Sequence, residues 1–175
     1  GATVGRADLI KQVHSFSRST GPALSPFNAW VLSKSLETLA VRMDRHCANA
    51  LKIAEFLEAN DNIEAVKYPF LPSHPAYAIA KKQMKAGGGV VTFSVKGGLE
   101  RGKRFLNAIQ MCSLTANLGD SRTIVTHPAS TTHAKLTEED RLAADITPGL
   151  IRISVGLEHH EDIIADVHQA LKPSR

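Results

Sequence analysis

Ser113-Leu-Thr-Ala-Asn-Leu-Gly-Asp-Ser-Arg-Thr-Ile-Val-Thr-His-Pro-Ala-Ser-Thr-Thr-His133, followed a little later by Leu150-Ile-Arg-Ile-Ser-Val-Gly156, decides how this chain is organised. The first stretch reads as a short strand, a Gly-Asp turn, a second β-branched strand and a polar Thr/His loop. The second is a strand with a lone arginine at its centre. Turns between strands are where a scaffold presents polar groups to a ligand, and an arginine fork is the natural partner of a carboxylate. In this strand Ile151, Ile153 and Val155 point one way while Leu150, Arg152 and Ser154 point the other. Pattern alone reads the second face as solvated; a ligand-holding role for Arg152 is the alternative.

Earlier in the chain, Ile63 to Tyr68 alternates and reads as a strand, and Val90 to Val95 is the clearest strand of all, framed by glycines. Further strands are predicted near Met111 to Thr115 and Thr123 to Thr126. Helical patterns cover Tyr77 to Lys85, Glu100 to Gln110 and His160 to Leu171, the last with Ile163, Ile164, Val167 and Leu171 on one side. Ser25-Pro26 is a helix start, with a hydroxyl at the cap and proline where its missing N–H costs nothing. An apolar stripe then runs through Ala29, Leu32, Leu36, Leu39, Met43, Cys47, Ala50, Ala54 and Leu57. It predicts one helix of about 33 residues, roughly 50 Å if straight. Ala7 to Phe16 is weakly helical, with too few apolar residues to make a core. Strands and helices mix without strict βαβ alternation, so the fold class is α+β with a mainly antiparallel sheet flanked by helices.

At 175 residues the chain can bury one good core. Hydrophobic residues at 43% and charged residues at 22% are ordinary for a globular protein. No apolar run approaches the roughly 18 residues that cross a membrane, and the first ten residues lack the form of a secretory signal. The net charge of +4 could suggest an anionic partner. Yet no basic run exceeds two residues and aromatics are only 5%, which argues against a nucleic-acid surface. Cys47 and Cys112 have no neighbouring spacing suited to zinc, so buried thiols in a cytoplasmic protein are expected.

Several motifs occur together: Ala116-Asn-Leu-Gly-Asp120, His127-Pro-Ala-Ser-Thr-Thr-His133, Gly21-Pro-Ala-Leu-Ser-Pro-Phe-Asn-Ala-Trp30, Leu36-Glu-Thr-Leu39 with Arg42-Met43 and Arg45-His46, and Tyr68-Pro69 with His74-Pro75. In this order they closely resemble the C-terminal domain of the pyridoxal-phosphate enzymes of cysteine and methionine metabolism, over nearly the whole chain. That family includes cystathionine γ-synthase, the cystathionine lyases, methionine γ-lyase and the O-acylhomoserine sulfhydrylases. The wording from Ala116 to His133 most resembles the O-succinylhomoserine and O-acetylhomoserine sulfhydrylases. Phe70 departs from the family's usual glycine after Tyr-Pro, and Asn117 stands where it often has serine.

The resemblance implies a small C-terminal domain of a fold-type-I enzyme: residues 1–24 a remnant of the cofactor domain and connector, and 25–175 the substrate-binding domain. It places the substrate-carboxylate arginine on Arg152 and puts Asn117 and Thr132 beside the same site. It implies pyridoxal phosphate as cofactor, an O-acylhomoserine-type substrate, the chain's own N-terminal domain as partner, and a homodimer or homotetramer. The bland reading of Asn117 is a turn residue. His127 and His133, six positions apart, lack a third ligand and make a poor metal site. Gly87-Gly-Gly89 enters a strand rather than opening a helix, so it is no phosphate loop. No family-like Ser-x-Thr-Lys occurs, and Lys34, Lys81, Lys82 and Lys85 sit on helical patterns. The Schiff-base lysine is therefore expected upstream of Gly1, with no catalytic residue in this chain and no activity from it alone. A non-catalytic α+β interaction module is the competing reading.

Overall fold

Runs of β-branched residues become β1 (Ile63–Lys67), β2 (Val90–Val95), β3 (Ser113–Leu114), β4 (Ile124–Thr126) and β5 (Leu150–Ser154). The computed structural model describes residues 2–172. The strands form one sheet in the order β1-β2-β5-β4-β3. The pairs β1–β2, β2–β5 and β4–β5 are antiparallel, while β3–β4 is parallel. The expected α+β class holds, with one refinement: the sheet is mixed. The loop over 115–123 returns the chain to the same end of the sheet, which a parallel neighbour requires.

Helical spacing gives α1 (Ala7–Thr20), α2 (Pro26–Glu37), α3 (Leu39–Glu58), α4 (Tyr77–Gln83), α5 (Gly98–Ala108), α6 (Glu138–Ala143) and α7 (His160–Leu171). The predicted 33-residue helix is divided at Thr38, whose φ of −105° and ψ of 5° leave the helical ladder. The chain clusters into two compact units, Gly1–Ala40 and Val41–Arg175. In the first, Ser25 Oγ accepts the Asn28 N–H at 3.2 Å and Pro26 opens α2, as the sequence predicts. Neither α1 nor α2 buries a residue. Phe16, Phe27, Trp30, Leu32 and Leu36 are all more than half exposed, so the apolar stripe has no core to join before α3.

In the second unit the stripe does find its core. Ala50, Ile53, Ala54 and Leu57 of α3 join Phe105 of α5, Ile163, Val167 and Leu171 of α7, and the sheet residues Val91, Phe93, Val95, Val125, Ile151, Ile153 and Val155. Phe93 and Phe105 meet edge to face at 5.7 Å, a geometry that adds about 0.5–1.5 kcal/mol to their burial. Cys112 is buried and Cys47 half-buried, both as free thiols. The short helix α6 escaped the sequence reading, although Thr137 caps it by accepting the Asp140 N–H.

Asp166 of α7 fastens the end of α5 to β3. Its carboxylate accepts the backbone N–H groups of Gln110, Met111 and Cys112, each at 2.9 Å, and Gln169 Nε2 at 3.0 Å. Burial pushes its pKa up, but these amides outweigh burial and leave it below the ordinary value. A carboxyl with a depressed folded-state pKa contributes stability above its ordinary value, about 3.9, and loses it as pH falls through the folded one. Asp166→Asn turns one acceptor into a donor facing a backbone N–H. It should cost about 1–3 kcal/mol at neutral pH and flatten stability against pH below about 4, both measurable by denaturant unfolding across a pH series.

Candidate functional site

Strand β5 lies between β2 and β4, so its backbone is hydrogen-bonded on both sides and its side chains are held in register. Ile151 and Ile153 fill the core, while Arg152 and Ser154 lie on the opposite face. Thr92 and Thr126 flank Arg152 across the ladder, and Val90 and Ile124 flank Ser154. This face is only partly solvated. Ile124 is 2% exposed, Thr126 3% and Ser154 3%, so apolar and polar side chains alike are covered there.

Part of that cover is the loop after β3. Arg152 Nη2 donates to the Ala116 carbonyl at 2.6 Å and to the Asn117 carbonyl at 3.3 Å. Ser154 Oγ accepts the Gly119 N–H at 3.0 Å. Gly119 has a φ of +84°, a conformation that favours glycine and turns the loop here. Residues Ala116 to Asp120 line an open depression of about 590 Å³. At its rim the Arg122 guanidinium and backbone N–H hold the Asp120 carboxylate down to about 2. Among the described residues, Arg152 Nε is the one fully buried side-chain nitrogen or oxygen without a hydrogen-bond partner. A buried donor left unpaired costs about 1–3 kcal/mol, and an acceptor brought in by a ligand removes that cost.

The far end of the loop is held by a carboxylate bridge. Glu158 accepts the Thr123 N–H at 2.6 Å and the Thr123 hydroxyl at 2.9 Å, and Thr123 Oγ1 accepts the Gly156 N–H at 2.9 Å. Gly156 is a true close approach: a Cβ there would collide with Glu158 and the Thr123 amide. Helix α3 secures the same turn. Asn49 Nδ2 donates to the carbonyls of Gly156 and Glu158 at 3.0 and 2.9 Å, and His46 Nδ1–H donates to Val155 at 2.6 Å.

Of the residues singled out by sequence, Arg152 and Asn117 are brought into contact. Thr132 is exposed and its hydroxyl turns to His133 Nδ1 at 2.8 Å. Its neighbour Thr131 reaches the strand instead, through Thr126 Oγ1 at 3.0 Å and the His127 carbonyl at 2.8 Å. His127 is fully buried. Its Nε2–H donates to the Pro148 carbonyl at 2.7 Å, leaving Nδ1 to accept from Ser130 at 2.8 Å. Burial holds its pKa below the ordinary histidine value, so it is a neutral clasp between two loops. No three His, Cys, Asp or Glu side chains are grouped to hold a metal ion among the described residues. Ser154, Thr123 and Glu158 were not singled out from sequence. Only Ser154 carried a signal, its place on the same pleat face as Arg152.

A family model described as Cys/Met metabolism PLP-dependent enzyme matches residues 1–172. An L-methionine gamma-lyase of Porphyromonas gingivalis is 49% identical over 173 residues, covering 98% of this chain and 43% of that protein. An O-succinylhomoserine sulfhydrylase of Pseudomonas aeruginosa is 48% identical over 171 residues, covering 98% of this chain and 42% of its own length. A Campylobacter jejuni crystal structure described as an O-acetylhomoserine (thiol)-lyase matches with a TM-score of 0.85 and 42% identity, covering 94% of this chain and 39% of that one. It contains N′-pyridoxyl-lysine-5′-monophosphate. The chain thus spans less than half the length of these relatives.

Pyridoxal phosphate needs a desolvated lysine for its Schiff base, an acid at the pyridinium nitrogen and a phosphate cradle. The described lysines do not fit the first requirement. Lys34, Lys67 and Lys103 pair with Glu37, Asp145 and Glu100. Lys81 lies over the Phe70 ring at 4.4 Å, and Lys82 and Lys85 are exposed. What the site offers is a guanidinium with an unpaired buried N–H beside a fixed loop, a group suited to a carboxylate. Glu158→Gln should leave one of the two Thr123 donors facing an amide NH2. We expect a loss of about 1–3 kcal/mol in unfolding free energy and faster amide hydrogen exchange over 119–123, with no change around α5.

Proposed function

The chain belongs to the Cys/Met metabolism PLP-dependent enzyme family, and from that premise we propose that it is the C-terminal, substrate-binding part of an O-succinylhomoserine or O-acetylhomoserine sulfhydrylase. The reaction is γ-replacement: the acyl group leaves the substrate Cγ as its carboxylate, and sulfide takes its place to give homocysteine. Residues 25–175 form the substrate-binding domain and 1–24 the connector to a cofactor domain. The reading places the enzyme in the cytoplasm as a homodimer or homotetramer, in keeping with the exposed apolar side chains of α2. The motif wording from Ala116 to His133 favours the sulfhydrylase branch, and relatives of that branch are among those it matches.

The observation that carries the reading is the Arg152 guanidinium, gripped by the Ala116 and Asn117 carbonyls on one nitrogen and unpaired at its buried Nε. We assign it to the α-carboxylate of the amino-acid substrate, with Asn117 and Thr132 completing the substrate-binding set. Pyridoxal phosphate, when bound, supplies the electron sink that makes the substrate's Cα and Cγ reactive. Arg152 contributes position: a two-pronged hold fixes the rotation of the substrate about its carboxylate and so aims the Cα–H bond.

Methionine γ-lyase is the second reading, because a relative of that activity matches as well as the sulfhydrylase does. The full-length enzyme should form homocysteine from O-succinyl- or O-acetylhomoserine and sulfide. Release of ammonia and a thiol from methionine, without the replacement reaction, would move the assignment to the lyase. Arg152→Lys keeps the charge but loses the planar fork. It should lower kcat/KM by about ten- to hundredfold, the worth of a charge-assisted hydrogen bond. Melting temperature should change little, because the strand's core face is made by Ile151, Ile153 and Val155. Unchanged kinetics with a large drop in melting temperature would make Arg152 a structural residue instead.

A further inference from the structure

We propose that Ser154 is a positioning residue for the carboxylate subsite, setting the loop against which Arg152 works. The inference rests on the assignment of Arg152 to the substrate carboxylate. Ser154 stands two residues after Arg152 on the same face of β5, so the two Cα atoms are separated by about 7 Å along the strand. Their side chains hold opposite ends of one short segment. Arg152 Nη2 takes the carbonyls of Ala116 and Asn117, and Ser154 Oγ takes the amide of Gly119. The segment is therefore tied at both ends to a single strand, and that strand is locked between two antiparallel neighbours.

The Ser154 contact controls the less constrained end. Leu118 is 59% exposed and Gly119 adopts a φ of +84°, so neither packing nor a Cβ fixes the turn there. Ser154 is 3% exposed and already in place on the rigid strand. By aiming the Gly119 amide it sets the peptide plane that follows Leu118, and through it the placement of the Asn117 carbonyl that Arg152 grips. The guanidinium carries an unpaired buried Nε, so the loop carbonyls are what orient its free edge. Without the hydroxyl, water can satisfy the Gly119 amide at this exposed loop, and little stability is lost. What is lost is the fixed direction of the fork. Substrate binding, more than the chemical step, should then suffer.

The test uses the full-length holoenzyme with Ser154→Ala, Ser154→Thr and Arg152→Lys side by side. Ser154→Ala should raise KM for the amino-acid substrate about three- to tenfold, the size of one neutral hydrogen bond expressed as affinity. Its kcat should stay within about twofold and its melting temperature near wild type. Hydrogen exchange at the Gly119 amide should accelerate in Ser154→Ala, and Ser154→Thr, which keeps the hydroxyl, should restore slow exchange and wild-type KM. Wild-type KM in Ser154→Ala overturns the proposal, provided Arg152→Lys is impaired. So does a large fall in melting temperature with kcat and KM reduced together, which marks a purely structural residue. If Arg152→Lys is kinetically silent, the carboxylate assignment itself has failed and this proposal falls with it, whatever exchange shows at Gly119.

Discussion

Strand β5 has to serve two faces at once. Its backbone is saturated by β2 and β4, so no side chain on it can shift without breaking a ladder on one side or the other. Ile151 and Ile153 are fully buried on the core face, and each such residue contributes about 1.5–3 kcal/mol. That burial sets the register of the strand, because a slip by one residue would send both isoleucines to the polar face and Arg152 into the core. The placement of Arg152 and Ser154 is thus a by-product of the hydrophobic constraint. A guanidinium on a loop would lose far more freedom on gripping a ligand than one already aligned by a central strand.

The loops around this strand are held by carboxylates that bind backbone amides. Asp166 takes three consecutive N–H groups at the end of α5, and Glu158 takes both the amide and the hydroxyl of Thr123. Hydrogen bonds of this charged kind are worth about 1.5–3 kcal/mol each, roughly twice a neutral one. The exposed ion pairs, such as Lys34–Glu37 and Lys103–Glu100, are worth little by comparison. The ordering of the segments at 110–113 and 119–123 therefore depends on the buried Asp166 and the half-buried Glu158 more than on surface charge. His46 and Asn49 extend the same logic to α3, which grips the turn after β5 through carbonyls.

The described residues offer a fixed cation, a shaped loop and a depression, but no buried lysine to carry a cofactor. Conversely, the first forty residues display large apolar side chains with no core of their own.

The alternation of Leu150 to Val155 and the stripe from Ala50 to Leu57, with the mix of strand and helix patterns, were enough, without coordinates, to establish the α+β class, the core face of β5 and the place of Arg152 on the opposite face. They were enough because burial acts through local periodicity, which a linear sequence records. The motif wording likewise carried the family. Tertiary structure alone decided that the helix predicted from Ser25 breaks at Thr38, since an apolar stripe does not say where its partner surface begins. It alone made β3 parallel to β4, because strand direction follows from the path of the loop between them. It also joined Arg152 to Ala116 and Asn117, Ser154 to Gly119 and Glu158 to Thr123. These contacts span some 35 positions of sequence, and no periodicity encodes a hydrogen bond between groups that meet only after the sheet has closed.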